Sequence, residues 1–210
     1  MNEATLTHAH VGVEPAESPL TPESWGKLGM WIFLAGDAMS FGTLLAGYGA
    51  IRAGSADWPV PSQVLGIQLT ALMTFLLICS SVTMVKALSA SKKGDRKAFI
   101  KFILMTIAGG TLFLGMQAYE WTHLIHGKHV TFTSNPYGAW LFGTTFFAIT
   151  GFHGAHVTGG VLYLSVVLLL GLIAGKFSQK NFPNIVEIAA LYWHFVDLVW
   201  ILVFTFVYLI

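Results

Sequence analysis

The chain has 210 residues, 55% hydrophobic and only 10% charged, against roughly 25% charged residues in a typical soluble domain. Its formal net charge of +1 excludes the broad basic field of nucleic-acid binders, and its single cysteine, Cys79, excludes a disulfide framework or a cysteine-based metal site. The composition predicts an all-α integral membrane protein.

Residues 1–24, MNEATLTHAHVGVEPAESPLTPES, are polar, contain three prolines and lack the basic and apolar regions of a cleaved signal, so they read as a disordered cytoplasmic tail. Residues 25–210 read as one transmembrane domain. Within it, apolar runs long enough to cross a bilayer, which takes roughly 20 residues, lie at about Trp25 to Ile51, Ser62 to Leu88, Phe99 to Ile125, Tyr137 to Gly175 and Val186 to Ile210. Five transmembrane helices are therefore predicted. The breaks GSADWPVP, SASKKGDRK, HGKHVTFTSNP and KFSQKNFPN are rich in residues that end helices. The fourth run has 39 residues, about 58 Å as a single helix, so it must tilt or project beyond the membrane unless its glycines break it.

The basic residues divide unevenly between the two sides of such a bundle. Lys27, Lys86, Lys92, Lys93, Arg96, Lys97, Lys101, Lys176 and Lys180 share one side, and only Arg52 and Lys128 lie on the other. The positive-inside rule then predicts a cytoplasmic N-terminus and a periplasmic C-terminus. Lys92, Lys93, Arg96 and Lys97 form the densest cluster, which serves either topology alone or, in addition, contact with anionic phospholipid headgroups.

Polar groups at membrane depth are few, and an acid near a helix centre costs about 2.5 to 3.5 kcal/mol on insertion scales, so function is sought there. Asp37 lies about ten residues into the first helix, in WIFLAGDAMSFGTL. Glu120 and His123 lie in GMQAYEWTHL, His153 and His156 in GFHGAHVTGG, and His194 and Asp197 in YWHFVDLVW. Each pair is three residues apart and shares a helix face, which is expected to look at protein. One reading is interhelical hydrogen bonding, with Gly151, Gly154, Gly159 and Gly160 allowing close approach. A b-type haem held by His153 or His156 and His194 is a second, although two histidines on one face cannot clamp a haem from opposite sides. No ligand cluster with a known metal spacing is present. A third is a stand-alone proton-coupled carrier with these residues as a relay, against which stands the absence of internal repeats.

GFHGAHVTGG and YWHFVDLVWILVFTFVYL, with WIFLAGDAMSF and FLGMQAYEW in the same order on the other helices, resemble subunit III of the haem–copper respiratory oxidases, the cytochrome c and quinol oxidase group. The resemblance covers nearly all of the chain after the tail. That family in its full form has seven helices in two groups, and the helices here correspond to the last five, as in short bacterial members. The resemblance implies a subunit of the bacterial inner membrane with no redox centre of its own. It would pack against the catalytic subunit I, which with other partners carries haem and copper, and support proton uptake and stability during turnover. It also implies that Asp37 stands where the family usually has a buried glutamate known for reacting with a carbodiimide, and that Glu120, His153, His156, His194 and Asp197 match residue types of the family's motifs. On this reading the histidines are buried partners for acidic groups on neighbouring helices.

Overall fold

The computed structural model describes residues 25–210; the tail expected over residues 1–24 lies outside the described residues. Among the described residues every regular element is helical. In chain order these are α1 (Trp25–Ala53), a single turn α2 (Pro61–Val64), α3 (Ile67–Lys92), α4 (Arg96–Thr122), α5 (Leu141–Leu172), a single turn α6 (Ala174–Phe177) and α7 (Phe182–Val203). Wider π-helical turns extend α4 through His123–Gly127 and α7 through Phe204–Leu209. Five of these helices are long and apolar enough to cross a membrane.

Local chemistry explains the boundaries. Gly94, at φ +73°, closes α3 in a left-handed conformation that a side chain would strain, and the Asp95 carboxylate then accepts the Ala98 amide at 3.0 Å to cap α4. The second long helix begins at Ile67 and not near Ser62, because Leu65 is extended (φ −96°, ψ 150°) and separates it from the proline-started turn α2. The long fourth run contracts to the 32 residues of α5, about 48 Å, and its glycines do not break it. At its end the Arg96 side chain donates to the Gly171 and Leu172 carbonyls, filling acceptors that a helix C-terminus leaves unsatisfied. At the opposite end of the bundle, the Lys128 ammonium donates to the Gln63 and Val64 carbonyls, and Arg52 donates to the Ile210 carbonyl.

Helices α3, α4, α5 and α7 pack around a common interior, and α1 lies outside against α5 and α7. The buried residues of α1 are Leu34, Asp37, Phe41 and Tyr48, a narrow seam with a seven-residue period and one acid within it. The interior is built around Trp193. Its indole nitrogen donates to the Ser80 hydroxyl of α3 at 3.1 Å, and its ring fills the space left by Gly110 of α4 and Gly160 of α5. A side chain at Gly110 would put its Cβ 2.5 Å from the Trp193 ring and 2.8 Å from Val161, which is why glycine is needed at this crossing. Two turns on, the Trp200 indole donates to Thr74 of α3 at 3.0 Å. Gly159 similarly faces Tyr192 and Gly151 faces Trp121, whereas a Cβ at Gly154 would meet nothing within 4 Å among the described residues.

Glu187 of α7 joins two other helices at one end of the bundle, lying 3.2 Å from Lys27 of α1 and 3.2 Å from Lys92 of α3. With the Arg96 contact to the end of α5, this gathers the start of α1, the α3–α4 hairpin and the α5–α7 connection at that same end.

Candidate functional site

Asp37 faces α5, where its Oδ1 lies 3.2 Å from His156 Nε2. The other ring nitrogen of His156, Nδ1, is 2.8 Å from the Phe152 carbonyl. A carbonyl only accepts, so Nδ1 carries a hydrogen and the tautomer is fixed. Oδ1 and Nε2 then share one proton: either a carboxylic acid donates to a neutral imidazole, or an imidazolium donates to a carboxylate. Phe41 and Phe152 flank the imidazole, with ring centroids 5.2 and 4.6 Å away, and keep the pair largely dry. Tyr192 of α7 donates to the His156 carbonyl at 2.9 Å, so three helices meet here. His156 is midway along α5, which places the pair near mid-depth of the bundle.

His153, on the same helix face by spacing, goes elsewhere. It is fully buried between Trp200, Phe113 and Phe41, at centroid distances of 4.7, 5.7 and 6.3 Å, and neither ring nitrogen has a hydrogen-bond partner among the described residues. The expectation that each histidine meets an acid is therefore corrected here. Three residues of helix leave a 60° offset, enough to turn His156 towards α1 and His153 into the four-helix interior.

Glu120 of α4 is buried and accepts from Thr70 of α3 at 3.0 Å and from the Tyr208 hydroxyl beyond α7 at 2.9 Å. His123 does not share its burial: it is exposed and stacks beside Tyr119 where the helix widens into the π turn, which corrects its placement among the buried groups. His194 Nδ1 lies 2.7 Å from the Ser81 hydroxyl of α3, and Asp197, one turn on, is buried with its Oδ1 unpartnered among the described residues. These are three separate interhelical contacts, not one continuous network. Among the described residues no group of three or more His, Cys, Asp or Glu side chains converges as a metal-sized cluster.

Thr70, Tyr208 and Ser81 complete these contacts and had not been singled out. Lone hydroxyls in apolar helices were their only signal. Of the four basic residues proposed for headgroups, Lys92 and Arg96 have partners within the chain, while Lys93 and Lys97 are exposed without one among the described residues.

A family model described as Cytochrome c oxidase subunit III matches residues 24–210, taking in every helix and all three polar contacts. The chain belongs to that family. It is 36% identical over 182 residues to Cytochrome c oxidase subunit 3 of Alkalihalophilus pseudofirmus, covering 87% of this chain and 85% of that one. Against Cytochrome c oxidase subunit 3 of Corynebacterium diphtheriae it is 37% identical over 188 residues, covering 88% and 87%. Quinol oxidase subunit 3 of Bacillus subtilis is 34% identical over 182 residues, covering 87% and 85%. Members named for cytochrome c and for quinol thus resemble the chain about equally. Five apolar helices and this membership make it a multi-pass membrane protein and a subunit III of the cytochrome c or quinol oxidase type.

Proposed function

We propose that this chain is the non-redox subunit III of a haem–copper terminal oxidase in the inner membrane of an aerobic bacterium. It packs directly against catalytic subunit I, contacts membrane phospholipid, and supports proton uptake and durability during turnover. Haem and copper belong to the partner subunits, and this chain alone is non-catalytic. The observation that carries the reading is the acid–imidazole pair: Asp37 and His156 hold one shared proton position at mid-depth, on the helix least enclosed by the rest of the chain. A pair of this kind holds a proton without exposing charge to hydrocarbon, the requirement for a group that buffers or guards a proton-consuming neighbour.

Affinity purification of the tagged chain from native membranes tests this reading. Haem absorbance and oxygen consumption should accompany the intact preparation, and after dissociation the isolated chain should show neither a Soret band nor stoichiometric copper or iron. A carrier would purify alone. A Soret band in the isolated chain that disappears in His194→Ala would make it a haem anchor instead.

The N-terminus lies in the cytoplasm and the C-terminus in the periplasm. Nine of the eleven Lys and Arg residues belong to the end of the bundle that Glu187 and Arg96 tie together, and the remaining two, Arg52 and Lys128, donate to helix-end carbonyls at the other. Reporter fusions at the loop containing Lys93 should report a cytoplasmic location, and fusions at the C-terminus a periplasmic one; the reverse pattern would invert the assignment.

A further inference from the structure

The α3–α4 hairpin carries a cationic hollow that none of the three polar contacts uses. Lys86, Ser89, Ala90, Lys93, Asp95 and Phe102 line an open hollow of about 260 Å³. Lys86 and Lys101 both approach the same ring, with their ammonium groups 5.6 and 5.9 Å from the Phe102 centroid. Asp95, whose carboxylate accepts the Ala98 amide as the cap of α4, is the one acid in this lining against the two ammonium groups of Lys86 and Lys93, which leaves the hollow net positive. Ser89 and Lys93 also border a second, adjoining hollow with Val85 and Lys92.

An apolar track leads away from this charge. Phe75, Ile78, Val82 and Val85 are exposed, and their spacing of three, four and three residues puts them on one face of α3 that runs directly to Ser89. From Phe75 to Val85 the track is about 15 Å long, half the roughly 30 Å hydrocarbon thickness of a bilayer. Lys86 and Lys101 sit within two turns of the hairpin, at the level where a lysine stem lies in hydrocarbon and its ammonium reaches the phosphates.

We propose that the α3–α4 hairpin is a binding site for an anionic diacyl phospholipid, with the phosphodiester held between Lys86, Ser89 and Lys93 and one acyl chain lying along the Phe75–Val85 track. This rests on the chain spanning a membrane and not on its role in an oxidase. It differs from a general attraction of the basic loop, because Lys97 and Lys176 at the same end take no part.

The test uses the full chain, extracted with any subunits that accompany it and placed in phosphatidylcholine nanodiscs containing spin-labelled phosphatidylglycerol. Phosphatidylglycerol should be immobilised in preference to labelled phosphatidylcholine. A lysine in direct contact with the phosphate at the membrane surface contributes about 5-fold, so Lys86→Gln with Lys93→Gln should reduce the preference by about 25-fold at low salt, whereas Lys97→Gln with Lys176→Gln, which remove only distant charge, should reduce it far less and lose that effect in salt. If the first double variant does not assemble, Lys93→Gln alone should give about 5-fold. An equal loss in both double variants, or no loss in the first, overturns the site. Displacement of the lipid by millimolar inorganic phosphate would assign the hollow to a free anion and overturn the lipid. Retained oxidase activity with a lost preference separates this result from the functional proposal.

Discussion

Trp193→Ala should destabilise the helix bundle by about 3–5 kcal/mol, the range for removing a large aromatic side chain from a packed interior. Trp193 is almost wholly buried and touches three other helices at one level: Ser80 of α3 through its indole nitrogen, Gly110 of α4 and Gly160 of α5 through its ring. Packing of this kind does most of the work inside a membrane, where neighbouring lipid is as apolar as the helices and burial alone gives little preference for protein contacts. The loss is read as a fall in the midpoint of denaturant-induced unfolding in detergent. Gly110→Ala should be similarly harmful, because its methyl would fall on the Trp193 ring, and Trp193→Phe should partly restore that variant while costing stability alone. A loss below about 1 kcal/mol for Trp193→Ala would show that the bundle closes over the vacancy and that the three-helix contact is not what holds it.

Membrane class and helix number were legible because a run of apolar residues is a direct record of the solvent a helix meets. Helix ends were less so. The start of α3 depends on the extended backbone at Leu65, and the end of α5 on Arg96, a residue 75 positions away that caps Gly171. The family strings identified the residues worth watching, but spacing alone could not supply their partners. Asp37 meets a histidine four elements later, Glu120 meets a threonine and a tyrosine, and His194 meets a serine, all across helix interfaces. Spacing misplaced His123 because the helix widens at that residue, and it misread His153 because a shared face three residues wide still spans two directions. Hydroxyl residues in apolar helices were the overlooked signal: Thr70, Ser80 and Ser81 lie on the buried side of α3 and receive most of the polar groups of its neighbours.

Asp37→Asn should leave the oxidase assembled with normal haem content, yet shorten its active lifetime several-fold under sustained turnover, most strongly at alkaline pH where proton supply limits the reaction. The His156 geometry makes this substitution selective. With Nδ1–H directed at the Phe152 carbonyl, Nε2 is free to accept, and the asparagine amide can donate to it in place of the acid. Size, hydrogen bond and tautomer are retained, and the transferable proton is lost. Asp37→Leu removes both and leaves Nε2 unpaired in a dry setting, a cost of about 1–3 kcal/mol that should show as weaker assembly as well as shorter lifetime. The two variants therefore separate a proton from a tether. Lifetimes are measured as oxygen consumption against cumulative turnovers, across a pH series, with haem content determined on the same samples. A normal lifetime for Asp37→Asn throughout that series, with assembly lost only in Asp37→Leu, would make the pair a structural link between α1 and α5 and remove it from proton supply.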